Sequence, residues 1–155
     1  MDWKSLFFSF RGRISRAKYW LVIVIIAVVD VILRGVGVVA EQRTDDSVAG
    51  VLTLLAVGVV VLAVALTCAV AGLTVATKRL HDRDKAAWWL LVFCVLPGVL
   101  AGVGAGVTLA TASWLAFGLL AAVASAIGIW AFIELGCLRG TPGANQYGPD
   151  PLASN

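Results

Sequence analysis

The residues that could do chemistry lie in three places, and the densest is Lys78-Arg79-Leu80-His81-Asp82-Arg83-Asp84-Lys85. His81 is the only histidine of the chain. A histidine beside an aspartate suits general acid–base work. One histidine with nearby aspartates makes a poor metal site, because a stable site wants three or four converging ligands. A heme would need a second axial donor, and the only methionine is Met1. Arg79 and Arg83 offer guanidinium groups to a lipid phosphate. The plain structural alternative is a compact charged loop whose side chains pair with one another beside a membrane. The second place is Asp30 and Arg34, one helical turn apart inside an apolar stretch. A charge at the centre of a span costs about 2.5–3.5 kcal/mol on insertion scales, so such a residue is a candidate ion or proton site or a polar contact between protomers. The alternative is an intrahelical pair that shares the cost. The third is Glu134, whose expected partners are the basic residues of the N-terminal segment and of the 78–85 stretch, in an ion pair that locks the last span. No phosphate loop, nucleophile triad or zinc motif is present, so no catalytic, cofactor or metal residue is assigned.

The elements that must position these groups are membrane helices. Of 155 residues, 61% are hydrophobic and 14% are charged, against roughly 25% charged in soluble domains. No Asp, Glu, Lys or Arg occurs across 31 residues from Ser47 to Thr77, or across 48 from Ala86 to Ile133. A bilayer core needs about 20 apolar residues of helix. The first gap therefore holds one long span and the second holds two. The expected spans are Tyr19–Ala40, one within Val48–Thr77, one from Ala87 and one over Trp114–Leu138. The turn between the last two is expected near Ala105–Ser113, and Pro97-Gly98 is a possible kink. Val38-Val39-Ala40 resembles a weak signal-peptidase site, but Asp30 and Arg34 interrupt the apolar run, so the segment reads as a retained span.

Residues 1–18 read as an interfacial segment. On a helical wheel Trp3, Leu6, Phe7, Phe10 and Ile14 form an apolar stripe opposite Lys4, Arg11, Arg16 and Lys18, with Gly12 as a weak point. Five of the six tryptophans fit interfacial belts, while Trp130 is deeper and expected to pack between helices. Gly98, Gly102 and Gly106 have G-x-x-x-G spacing, which allows close helix contact. Cys68, Cys94 and Cys137 form no C-x-x-C pair and read as buried thiols. Lys and Arg number 5, 1, 4, 0 and 1 along the successive non-membrane segments. That alternation puts both termini and the 78–85 stretch in the cytoplasm. The net charge of +3 belongs to anionic lipid headgroups rather than to nucleic acid.

The reading is therefore an all-α integral membrane protein, a four-transmembrane-helix bundle with an N-terminal interfacial amphipathic segment. Its parts are a cytoplasmic interfacial segment (1–18), a transmembrane domain (19–138) and a cytoplasmic tail (139–155), the last irregular because it is rich in Gly, Pro and Asn.

Phe10-Arg-Gly-Arg13 with Ser15-Arg16 and Tyr19-Trp20, Arg79-Leu-His-Asp82 with Trp88-Trp89, and Gly140-Thr-Pro-Gly143 with Asn145 and Tyr147-Gly-Pro-Asp-Pro151 resemble the domain of unknown function 805 family. The resemblance covers nearly the whole chain in order. It departs at Arg83-Asp-Lys-Ala-Ala87, where a small glycine-containing turn is more usual. The family implies a bacterial inner membrane and names no activity. Because all three motif blocks fall on the side called cytoplasmic, it also implies a shared inner-surface assembly drawn from Arg11, Arg13, Arg16, Arg79, His81, Asp82, Trp88, Asn145 and Asp150. Such an assembly would fold the tail over the bundle, or bind a lipid headgroup or a partner. The leading functional expectation is a small non-catalytic accessory or scaffold subunit that binds a membrane partner, itself or lipid. The alternatives are a small oligomeric transporter or channel using Asp30, and a lipid-modifying enzyme using His81 and Asp82.

Overall fold

The computed structural model describes residues 3–45 and 47–153. The expected places of the Trp3 and Lys4 side chains and of Asp46 lie outside what it describes. The described elements are α1 (Trp3–Phe8), α2 (Arg16–Arg43), α3 (Val48–Asp82), α4 (Leu96–Thr111) and α5 (Trp114–Phe132), with π-helical turns at Leu91–Val95 and Ile133–Cys137. Four stretches are long and apolar enough to cross a membrane: Arg16–Arg43, Val48–Asp82, Leu91–Thr111 and Trp114–Cys137. Their outward side chains are largely apolar, with Val31, Leu52, Val59, Leu115 and Leu119 each more than half exposed. Such a surface suits a hydrocarbon solvent.

The chain divides into two compact units, residues 1–9 with 20–75 and residues 10–19 with 76–155. In the first, an open groove of about 640 Å³ runs between α2 and α3. Ser47 caps α3: its Oγ accepts the Gly50 N–H at 3.1 Å, satisfying one of the free donors at a helix start. The Ser47 hydroxyl and amide also donate to Asp45, and these bonds hold the Asp45 carboxyl below its ordinary range.

Three local expectations change. The N-terminal segment breaks around Gly12, the weak point expected of it, and does not run as one amphipathic helix. Gly12 takes a left-handed conformation (φ +89°), open to glycine at no steric cost, and the chain is irregular from Ser9 to Ser15. Phe10 is exposed and Ile14 is buried, so the stripe drawn through both does not exist. The charged stretch is not a loop from Lys78. α3 runs on through Asp82, reaching about 52 Å at 1.5 Å per residue, well beyond a 30 Å bilayer core. Lys78, Arg79, His81 and Asp82 thus occupy its last turns. The glycines with G-x-x-x-G spacing are not the close contact either. Gly98, Gly102 and Gly106 face open space, whereas a Cβ on Gly104 would come within 3.2 Å of the Phe117 backbone. Gly104 is where α4 meets α5.

Pro97 sits in the first turn of α4, directly after the Leu91–Val95 π turn. A proline ring clashes with the carbonyl four residues back, and the wider π turn relieves it. α4 ends at Thr111, Ala112 is left-handed (φ 52°), and α5 begins at Trp114. The turn is thus two residues at the end of the expected window.

Candidate functional site

The second unit gathers its polar residues around the last turn of α3. Asp82 is the hub. Its Oδ1 accepts the Nε of Arg13 at 3.0 Å, and its Oδ2 accepts Nη1 of Arg79. The Arg13 and Asp82 side chains are 1% and 4% exposed, and that of Arg79 is fully buried. Two guanidinium groups on one carboxylate leave one excess positive charge. It faces backbone carbonyls. Arg13 donates to Thr141 and Gly143 at 2.6 Å each, and Arg79 to Leu135 at 2.8 Å and to Leu138. Buried charge is tolerated when it is paired and its remaining donors are filled.

The two Arg79 acceptors have a common origin, whereas those of Arg13 belong to the tail. A helix ends with four carbonyls that no intrahelical N–H can reach, at the negative pole of its dipole. α5 and its π turn end at Cys137. Around that end Arg79 takes Leu135 and Leu138, Arg16 takes Cys137 at 2.9 Å, and Arg83 takes Arg139 at 2.5 Å. Three arginines cap one helix end. Beside it Glu134 Oε1 receives Arg83 at 3.1 Å and Lys85 at 3.0 Å. Of the partners expected for Glu134, the 78–85 stretch supplies both. Lys85 Nζ also lies 5.0 Å over the Trp89 ring. Trp89 in turn stacks with Trp88 and meets Trp130 edge-on at 5.4 Å. Trp130 packs against Trp89 and Phe93, and Trp88 is half exposed.

The tail is ordered onto this base through Ala153. The carbonyl of Asp82 accepts both the amide (2.8 Å) and the hydroxyl (3.1 Å) of Thr141. Asn145 Nδ2 donates to the His81 carbonyl at 2.9 Å and to the Thr141 hydroxyl at 3.0 Å. Asn145 and Gly148 exchange backbone hydrogen bonds at 3.1 Å each, closing a tight turn that carries Tyr147. The Tyr147 ring stacks on His81, centroids 3.9 Å apart and planes 3° off parallel. Asp150 accepts the amides of Leu152 at 2.9 Å and Gly143 at 3.0 Å. These bonds, Leu152 first, hold its carboxyl below the ordinary aspartate range.

Arg13, Arg79, His81, Asp82 and Asn145 thus come together, with Arg16 at the helix end and Asp150 bracing the tail. Arg11 is exposed. Asp30 and Arg34 belong to the other unit and bond to each other at 2.7 Å. A His–Asp dyad does not form: His81 Nδ1 faces the Gly12 carbonyl at 3.3 Å, while the Asp82 carboxylate is taken by two arginines. Among the described residues, no group of three or more His, Cys, Asp or Glu converges on a metal-sized point. Every buried side-chain nitrogen and oxygen among them has a partner. The three cysteines are free thiols, and Cys94 and Cys137 are exposed rather than buried.

Sequence reasoning did not include Gly140, Thr141 or Tyr147 among the site residues. A Cβ on Gly140 would fall inside the Asp82 carboxylate, so glycine is required there. Gly140, Thr141 and Tyr147 lie within the tail motif, so their signal was present. Asp84 is left-handed (φ 56°), a conformation asparagine and aspartate tolerate best after glycine. It stands where a glycine-containing turn was expected.

These features define a class: an all-α integral membrane protein with four spans, whose C-terminal tail is latched to helix ends by a buried arginine–aspartate network. The chain belongs to the family described as Protein of unknown function (DUF805), which it matches over residues 7–149. It is similar to the inner membrane protein YhaH of Escherichia coli strain K12, 30% identical over 156 residues covering 97% of each chain. The inner membrane protein YhaI of the same strain is 27% identical over 143 residues, covering 92% of this chain and 86% of YhaI. No solved structure is significantly similar.

Proposed function

We propose that this protein is a non-catalytic scaffold of a bacterial inner membrane, and that its latched tail is a rigid cytoplasmic platform for a membrane protein partner. One observation carries this reading: the arginines, Asp82 and Asn145 of the polar cluster are engaged with their own chain, fixing residues 140–150 in place. A group engaged in this way positions a surface and is not free to bind phosphate or move a substrate proton. The names of YhaH and YhaI support the membrane. The Lys and Arg alternation supports cytoplasmic termini. Exposed Arg11 and Lys18 would then lie among anionic headgroups.

The test is purification of tagged chain from its native membrane in mild detergent, with mass spectrometry of what is retained. A stoichiometric protein partner is expected, and Gly140→Ala, which crowds the Asp82 carboxylate and loosens the tail, should weaken its capture while the spans stay inserted. A partner held equally by wild type and Gly140→Ala would remove the platform role, and lipid alone would remove the scaffold.

A second reading, a small oligomeric transporter, is favoured by the α2–α3 groove, where Asp30 is the one charged lining residue. It requires that Asp30→Asn abolish a proton-coupled flux in proteoliposomes with assembly intact.

A further inference from the structure

The Asp30–Arg34 pair sits where a lone protein can least support it. Asp30 is 14 residues into the 28-residue α2, about 21 Å along a helix of about 42 Å, and so at mid-span. Its side chain is 54% exposed and that of Arg34 77%. Among the described residues they make one bond, Arg34 Nε to Asp30 Oδ2 at 2.7 Å. A guanidinium has five N–H donors and a carboxylate two acceptor oxygens, so most of this hydrogen-bonding capacity faces outward at the depth of the hydrocarbon.

The seam around the pair has the period of paired helices. Ile23, Ala27, Asp30, Arg34, Gly37 and Glu41 follow spacings of four and three, which keeps one stripe of a helix facing a parallel neighbour. Ala27 and Gly37 are small enough for backbones to approach, and a Cβ on Gly37 would meet nothing. Asp30 and Ala27 also border the open groove against Cys68, Ala69 and Gly72 of α3.

We propose that α2 is the interface of a parallel homodimer, in which the Asp30–Arg34 pairs of two copies join into a neutral ring of four charges. The charge pattern selects the occupant. Under a two-fold axis normal to the membrane, Asp30 of one copy lies about 6 Å along the axis from Arg34 of the other, within reach of an arginine side chain. Each carboxylate then receives two guanidinium groups, its own and its neighbour's, and the unfilled oxygen gains a donor. The seam is its own complement, so a second copy needs no further charges, whereas an unrelated partner would have to bring a matching acid and base. An isologous contact of this kind closes at two. The proposal is independent of what the tail platform docks.

The experiment uses full-length chain in native membranes with Cys68, Cys94 and Cys137 replaced by alanine and one cysteine introduced. Under mild oxidation, Ala27→Cys or Gly37→Cys should give a disulfide-linked band at twice the monomer mass, and Ile25→Cys, off the seam, should not. Adding Asp30→Leu with Arg34→Leu should lower the dimer association about three- to tenfold, the range of polar contacts between membrane helices. That double variant inserts more readily than wild type, so a loss cannot come from failed insertion. Exchanging the charges, Asp30→Arg with Arg34→Asp, should keep the dimer. No band at either seam position, an equal band at Ile25→Cys, or a dimer indifferent to loss of both charges would overturn the proposal.

Discussion

The two groups of charges in this chain are built on opposite plans. The latch joins residues 56 to 130 positions apart in sequence around buried Arg79 and Asp82 side chains. The α2 pair joins residues four positions apart and leaves both exposed. In the latch the arginines divide their donors between a shared carboxylate and main-chain carbonyls of the helix end and the tail, and the buried side-chain polar atoms among the described residues are satisfied. The Asp30–Arg34 pair makes a single side-chain bond among the described residues. A saturated network fixes a conformation and offers little to a ligand. An unsaturated pair at mid-span adds little to its own helix and has capacity left for a neighbour. Structure-holding and partner-seeking charges are thus distinguished by their spare hydrogen bonds more than by residue type.

Substitutions sharpen that contrast. Asp82→Ala should be the most damaging, because it leaves Arg13 and Arg79 buried with no counter-charge. A loss of about 3–5 kcal/mol is expected, read as thermal unfolding in detergent and as new chymotryptic cleavage at Tyr147. Gly140→Ala comes next. The added methyl meets a carboxylate that two arginines hold, so it cannot swing aside. Overpacking of this kind costs about 1–3 kcal/mol, and Gly140→Ala should loosen the tail with α4 and α5 unaffected. Glu134→Gln weakens contacts to Arg83 and Lys85, which are 25% and 27% exposed. About 1–2 kcal/mol is expected after partial screening. By contrast Asp30→Leu with Arg34→Leu should leave monomer stability close to wild type, because the pair is exposed and its residues are four apart on one helix. If that variant unfolds the monomer as Asp82→Ala does, the distinction between the two groups fails.

The four spans were readable because bilayer thickness fixes a length, and gaps of 31 and 48 uncharged residues have one reading in helices. What was not readable follows from what side-chain lettering omits. Arg79 spends two of its bonds on the Leu135 and Leu138 carbonyls, acceptors every residue carries and no letter marks. The extension of α3 to Asp82 was hidden because Lys78, Arg79, His81 and Asp82 look like a solvated loop. They are helical because the N-terminal segment and the tail supply the partners water would have supplied. Phe10 and Ile14 fitted one helical stripe, and only the left-handed Gly12 separates them. His81 and Asp82 were legible as a place but not as a purpose. Adjacent residues on a helix point about 100° apart, which sends one to Gly12 and Tyr147 and the other to two arginines.

The smallest expected effect tests whether the latch is held by charge at its rim as well as at its hub. Asp150 lies at the rim of the latch, and the amides of Leu152 and Gly143 lower its pKa. A carboxyl whose folded pKa is depressed contributes stability above its unfolded pKa, and loses it as pH falls through the folded value. The tail should therefore stay closed across neutral and mildly acidic pH. The Asp150 contribution should fade only below the ordinary aspartate value of 3.8. Asp150→Asn should abolish that acid step while leaving the tail docked at neutral pH, since Asp82 and Thr141 still hold it. Hydrogen exchange at the Gly143 and Leu152 amides across this range reads the step directly. If Asp150→Asn instead frees the tail at neutral pH, Asp150 is part of the hub and the saturated network extends further along the tail than Asp82 and its arginines.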